Sequence, residues 1–161
     1  MQSYDVTIIG SGPGGYVAAI RCSQLGLKTS LIEKYNTLGG TCLNVGCIPS
    51  KSLLDSSHHY EEALKNFDSH GIEFSGDIII NLDKMINRKQ SVVDQTTKGI
   101  NFLMEKNKID VYQGVGSFKD SNHIIITGKK TMTIKSKYTI IATGSKPTKL
   151  PFASIDKKRI I

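Results

Sequence analysis

Six residues constrain this chain more than any others. Gly10-Ser11-Gly12-Pro13-Gly14-Gly15 follows a short β-branched run, Tyr4 to Ile9, and precedes a helical pattern from about Pro13 to Leu25. That pattern stops at Gly26, and a second β-branched run, Thr29 to Glu33, comes next. Strand, Gly-rich turn, helix and strand in this order make one βαβ unit, which requires a parallel sheet. The glycine spacing adds chemistry. Gly10 permits a tight turn, Gly12 lets a pyrophosphate reach the backbone, and Gly15 allows the helix to pack closely on the strand. A helix N-terminus offers unpaired N–H groups and a positive dipole end to phosphates. Glu33 stands 21 residues after Gly12, at the end of the second strand, where a carboxylate can accept from ribose hydroxyls. These residues together predict a dinucleotide site.

Further along, Leu38-Gly39-Gly40-Thr41 reads as a Gly-rich loop, and Cys42 to about Phe67 as a helix interrupted near Gly46 and Pro49. Residues 68–81 are loop-like, and Leu82 to Lys106 is a long helix. Ile109–Gly114 returns to strand. Phe118–Ile126 and Thr131–Ile134 alternate around Thr127-Gly128-Lys129-Lys130, a hairpin signal. Tyr138–Ala142 reads as a buried strand leading into Thr143-Gly144-Ser145-Lys146-Pro147, a turn suited to a second approach to a nucleotide. The order predicts an α/β fold, a parallel sheet with helices on its faces plus an antiparallel excursion.

Three cysteines are present, and two of them, Cys42 and Cys47, are separated by four residues. That spacing differs from a C-x-x-C pair, and no second pair exists to complete a zinc site, so no metal is expected. If Cys42 opens a helix, the dipole favours its thiolate, and two thiols one helical turn apart can form and break a disulfide. Two inert helical cysteines are the plainer alternative. Lys51, four residues after Cys47, falls on the same helical face, where it can lower a thiolate pKa or sit against a flavin ring. Cys22, among apolar helix residues, reads as core packing. His58, His59, His70 and His123 show no metal-ligand spacing.

Composition excludes several classes. The 161 residues amount to about one domain. No apolar run approaches the roughly 20 residues of a membrane span, and no secretory signal opens the chain. It therefore reads as cytoplasmic or as a processed organelle protein, with the mitochondrial matrix left open. Charge is uneven. Residues 1–80 hold 5 Lys/Arg against 8 Asp/Glu, and residues 81–161 hold 16 against 6. The basic residues are scattered with little aromatic interleaving, a solvated surface rather than a nucleic-acid footprint.

The segments Gly10–Gly15, Glu33-Lys34-Tyr35-Asn36-Thr37-Leu38-Gly39-Gly40-Thr41-Cys42 through Lys51, and Ala142–Ser145 together resemble the flavoprotein disulfide reductases. The likeness runs along essentially the whole chain, and Leu53–Tyr60 and Gly114–Phe118 share it. The ending Cys47-Ile48-Pro49-Ser50-Lys51 is most similar to the dihydrolipoamide-oxidising branch. Mercuric reductases stay open as an alternative, as does a stand-alone nucleotide-binding module without turnover. The resemblance implies a Rossmann-like FAD-binding domain with a parallel sheet, flanking helices and a small antiparallel β-meander. It implies FAD bound through Gly10, Gly12, Pro13, Gly14, Gly15, Glu33, Lys34, Gly40, Thr41, Cys42, Lys51, Gly116, Thr143, Gly144 and Ser145. Cys42 would be the interchange thiol, Cys47 the flavin-side thiol, and Lys51 would stand near the flavin. Electrons would run from a dihydrolipoyl group, carried by a 2-oxo acid dehydrogenase complex, through the cysteine pair and FAD to NAD. Homodimers are expected of the full-length enzymes.

The end of the chain departs from that pattern. Family chains are about three times as long and carry an NAD domain, a dimerisation domain and a catalytic His–Glu pair, none of which has a counterpart here. The expectation is an FAD-binding domain with a redox-active disulfide over 1–150, and a linker toward an absent NAD-binding domain over 151–161. The isolated chain is expected to lack full activity.

Overall fold

The computed structural model of the chain describes residues 1–146, 148, 150–152, 155, 156, 158 and 159. Strand β1 (Ser3–Ile9) passes through the Gly-rich turn into helix α1 (Pro13–Gln24), and β2 (Thr29–Glu33) pairs parallel with β1. The expected βαβ unit is therefore in place. Pro13 occupies the first helical turn, where its fixed φ and missing N–H cost nothing.

Helix α2 (Gly40–Asn44) and helix α3 (Cys47–Lys65) follow, then a 3-10 turn at Asp68–His70 and helix α4 (Leu82–Lys106). The expected interruption lies at Val45–Gly46 alone. Pro49 does not break α3, because it sits in the first turn, where no intrahelical bond is lost. Asn81 caps α4, its Oδ1 accepting the N–H of Lys84 at 2.9 Å.

Strands β3 (Asp110–Gln113), β4 (Val115–Phe118), β5 (His123–Thr127) and β6 (Met132–Ile141) complete one six-stranded sheet of order β3-β2-β1-β6-β5-β4. The first four strands are parallel and the last three form an antiparallel meander. The expected single strand from Phe118 to Ile126 is broken at 119–122. There the Asp120 carboxylate accepts the N–H groups of Asn122 and His123, both at 2.9 Å, and closes a turn. Conversely, Met132–Ile134 and Tyr138–Ile141 belong to one long strand, which pairs with β5 first and with β1 later, and Thr131 precedes it.

Two cores flank the sheet. Val6, Ile8 and Leu31 pack with Ala19, Ile100 and Met104 under the helices. Ile9 and Ile32 pack with Ile124, Ile126 and Ile134 under the meander. Each fully buried side chain of this size contributes roughly 1.5–3 kcal/mol. The flanking helices α1 and α4 thus pack on the face that carries Val6, Ile8 and Leu31. The meander takes the other face, because Ile124 and Ile126 alternate inward along β5. Gly116 is what lets β4 lie so close: a Cβ there would stand 3.2 Å from Ile9 and 3.3 Å from Ile32. The end of β6 is not buried as expected. Tyr138 is 61% and Ile141 65% exposed, since β6 beyond Ser136 pairs with β1 alone among the described residues.

A glycine turn beside a thiol pair

The C-terminal ends of β1, β2 and β6 meet at one edge. Gly10 follows β1 with φ +103°, and a Cβ there would collide with the Ala142 carbonyl oxygen at 2.3 Å. A Cβ on Gly15 would lie 1.8 Å from the Gly10 carbonyl oxygen, so α1 packs against its own strand as the motif predicts. Gly12 differs. Nothing lies within 4 Å of its added Cβ, and no side chain caps α1. The N-terminus of this 12-residue helix therefore faces open space, which fits a phosphate group.

Glu33 ends β2 and is only 6% exposed. Its Oε2 accepts the Ser11 N–H at 2.8 Å and the Ser11 hydroxyl at 2.5 Å; its Oε1 accepts the Tyr35 N–H at 3.0 Å. A carboxylate has about four acceptor positions, so Oε1 keeps one for a ribose hydroxyl. Sequence reasoning passed over Ser11, which orients this acid. The signal was its place between Gly10 and Gly12. The Gly39 N–H also donates to the Ser11 carbonyl at 3.0 Å and lies 3.3 Å from its hydroxyl. Ser11 thereby ties the turn, the acid and the next loop together.

That loop carries the thiols. Gly40, at φ +60°, rests on the Gly-rich turn: a Cβ there would lie 2.7 Å from Gly12 Cα. The Thr41 carbonyl accepts the N–H groups of Val45 at 3.0 Å and Gly46 at 2.8 Å, turning the chain from α2 into α3. Asn44, another residue passed over, donates its side-chain amide to the carbonyls of Leu38 and Gly40.

The two cysteines do not share a helix. Cys42 lies within α2, half-buried against the helix-side core, and Cys47 is the exposed first residue of α3. The long helix therefore opens at Cys47, not at Cys42 as expected. Both are free thiols, and they are hydrogen-bonded to each other. That hydrogen bond pushes the Cys42 pKa above its ordinary value, aided by burial and by the charge of Cys47. The Cys47 N–H and the Lys51 ammonium pull the other way without prevailing. The expected favoured thiolate at Cys42 is thus corrected: among these contacts Cys42 keeps its proton.

The remaining expected residues sit as follows. Lys51 is exposed, one turn into α3. Lys34 turns toward its neighbour, its Nζ 4.8 Å from the Tyr35 ring centre. Thr143, Gly144 and Ser145 are exposed just beyond β6, which is held level with Gly10 by the Ala142 N–H bond to the Ile9 carbonyl at 2.8 Å. Pro147 of that turn lies outside the described residues, as do Ala153, Ser154, Lys157, Ile160 and Ile161 of the expected linker. Cys22 is half-buried against the core, as expected. His58 and His59 are exposed on α3, and His123 holds Asp120 at 2.8 Å. Among the described residues no three His, Cys, Asp or Glu side chains gather to hold a metal, and no helix is long and apolar enough to cross a membrane.

Comparison with known proteins agrees with this arrangement. The family described as pyridine nucleotide-disulphide oxidoreductase matches residues 4–160. The chain is 47% identical over 160 residues to a dihydrolipoyl dehydrogenase of Trypanosoma brucei brucei, covering 98% of this chain and 33% of that protein. It is 51% identical to the mitochondrial dihydrolipoyl dehydrogenase of Homo sapiens, covering 98% and 31%, and 52% identical to a leghemoglobin reductase of Vigna unguiculata, covering 98% and 30%. The chain spans about a third of the length of these curated relatives. With the glycine turn, the buried acid and the thiol pair joined at one sheet edge, the chain belongs to the pyridine nucleotide-disulphide oxidoreductase family.

Proposed function

We propose that residues 1–150 form the FAD-binding, dithiol-bearing domain of a dihydrolipoyl dehydrogenase, with 151–161 leading toward an NAD-binding domain. One observation carries the reading. Gly40 packs on Gly12, so the segment bearing Cys42 and Cys47 is seated on the turn that would hold a pyrophosphate. A nucleotide there would extend toward the thiols. Likeness to dihydrolipoyl dehydrogenases along 98% of the chain favours this over a mercuric reductase or a module without turnover.

Each residue then has a task. The Gly12, Pro13 and Gly14 backbone and the α1 N-terminus would take the pyrophosphate. Glu33, oriented by Ser11, would accept from the adenosine ribose, with Lys34 beside it. Gly40, Thr41, Gly116 and the Thr143–Ser145 turn would line the same nucleotide. FAD, when bound, supplies a two-electron acceptor for the dithiol. Cys42 would exchange with the lipoyl sulfur, and its raised pKa suits a thiol that holds a proton until a base removes it. Exposed Cys47 would face the flavin, and the Lys51 cation favours negative charge on Cys42. When the pair oxidises, two S–H bonds are lost, one S–S bond forms, and two protons and two electrons leave. In the longer protein the dihydrolipoyl group would arrive on a carrier of a 2-oxo acid dehydrogenase complex, NAD would take the electrons, and the chains would pair as homodimers. The named human relative is mitochondrial, and the same compartment is proposed here.

The test is a visible spectrum after incubation with FAD and desalting, followed by anaerobic dihydrolipoamide. Retained flavin, and a new long-wavelength band that Cys47→Ser abolishes, are expected. Colourless protein, or a band insensitive to Cys47→Ser, would refute the assignment of these residues.

A further inference from the structure

Lys51 stands four residues after Cys47 on α3, and its charge favours the thiolate of Cys42. Asp55 stands four residues after Lys51 on the same helix, so the two side chains share a face. They also share a cleft of about 300 Å³, lined by Ile48, Lys51, Ser52, Asp55, Arg88 and Val92. Opposite charges placed in this way on a helix attract each other. Here they do not pair. Among the described residues Lys51 enters no ion pair, and the Asp55 carboxylate is held from across the cleft.

Helix α4 supplies the holder. It packs with α3 as a hairpin, and Arg88 joins the two across its width. The Arg88 Nη2 donates to Asp55 Oδ2 at 2.8 Å. Its Nη1 reaches the Ser52 carbonyl at 3.1 Å, the Ser52 hydroxyl at 3.2 Å and the Ser56 hydroxyl at 3.1 Å. Ser52 is buried, so the guanidinium is anchored on a fixed part of α3. Two physical reasons give Asp55 to Arg88 and not to Lys51. The guanidinium is a planar fork already oriented by the serines, whereas the ammonium swings on a flexible four-carbon stem and has more freedom to lose. A lysine N-terminal to an acid at this spacing is also the weaker order of the pair, because it runs against the helix dipole. The other neighbour of Asp55, His59, stands 3.7 Å from Oδ1, beyond hydrogen-bond reach. Among the described residues the charges that act on Cys42 are those of Cys47 and Lys51; Asp55 and Arg88 do not act on it directly.

We infer that Arg88 is a positioning residue for the dithiol: by holding Asp55, it leaves the Lys51 ammonium to the thiols. The inference deepens the dithiol role proposed above and rests on it, but it does not require bound FAD. Without Arg88, the Asp55 carboxylate faces Lys51 across one helical turn and draws the ammonium toward itself.

The test follows the pH profile of Cys42 alkylation in the 161-residue chain by peptide mapping, with thermal unfolding in parallel. On the rising limb, Arg88→Met should slow alkylation about 2- to 5-fold, the range of an exposed charge interaction. Arg88→Lys, which keeps a cation opposite Asp55, should slow it less. Adding Asp55→Asn to Arg88→Met should restore the original rate, although the tie between the helices stays cut. Asp55→Asn alone should leave the rate unchanged, and Arg88→Met should slow Lys51→Met no further. A profile that Arg88→Met leaves unmoved overturns the inference. So does an Arg88→Lys variant as slow as Arg88→Met. So does slowing that persists in the Arg88→Met, Asp55→Asn double variant or recurs on top of Lys51→Met, because Arg88 would then act through the fold or through its own charge. Loss of flavin with this pattern intact would sink the FAD reading alone, and loss of the pattern with flavin retained would sink the positioning role alone.

Discussion

The C-terminal edge of the sheet and the distal α3–α4 hairpin are built on opposite terms. At the sheet edge several positions are held by close backbone contacts. Gly10 and Gly15 admit no side chain, the Glu33 carboxylate has three donors, and Gly40 has no room above Gly12. On the hairpin, helical spacing brings apolar residues to a surface that none of the described residues covers. The first region is specified for geometry, as a site that positions a ligand must be. The second leaves Leu64, Ile79, Leu82 and Ile86 exposed.

This contrast can be broken. The largest effect is expected at Gly15→Ala, which forces a Cβ to within 1.8 Å of a backbone oxygen. It should destabilise by about 3 kcal/mol or more in urea unfolding, whereas Gly12→Ala, with open space above it, should leave stability nearly unchanged and reduce flavin retention. Equal stability of the two variants would show that the turn is not packed as described. Next comes Glu33→Ala, which leaves the buried Ser11 donors without an acceptor and should cost roughly 1–3 kcal/mol. Ser11→Ala should move unfolding less, because the Ser11 N–H keeps its bond to Glu33.

Smaller effects sharpen the picture at the thiols and the meander. Alkylation of Cys42 should rise only as the pH climbs above the ordinary thiol range, since its folded pKa is raised. Lys51→Met should push that rise higher still, because the removed cation had been lowering it. Peptide mapping by mass spectrometry reads both. The smallest effect belongs to Asp120, whose carboxylate is held below the usual range first by the Asn122 N–H and then by His123. A depressed acid contributes stability above its unfolded pKa and loses it as the pH falls through the folded value. Asp120→Asn should therefore lower the melting temperature slightly at neutrality, where the ionised carboxylate contributes, leave it unchanged well below about pH 4, and so flatten the acid limb.

Much of this was legible beforehand. The βαβ unit, the long helix α4 and the β5–β6 hairpin rest on periodicity and turn residues, which act within a few positions. The readings that failed needed partners distant in sequence. Tyr138 to Ile141 has the composition of a buried strand, but burial depends on what lies beside β6, and β1 lies on one side only. Pro49 looked like a helix breaker, yet the Thr41 carbonyl ends α2 early and places Pro49 in a first turn. Cys42 looked like a helix-opening thiol until the same reversal gave that place to Cys47.

The sequence by itself determined the Gly-rich turn, the acid that follows it and the spacing of two thiols, because glycine freedom and short-range spacing are local properties. Only the tertiary structure decided which face the meander covers, which thiol opens the helix, and that Ser11 and Gly40 fasten acid, turn and thiols into one edge. Those outcomes depend on contacts between segments far apart in the chain, where packing and hydrogen-bond satisfaction settle what no local pattern contains.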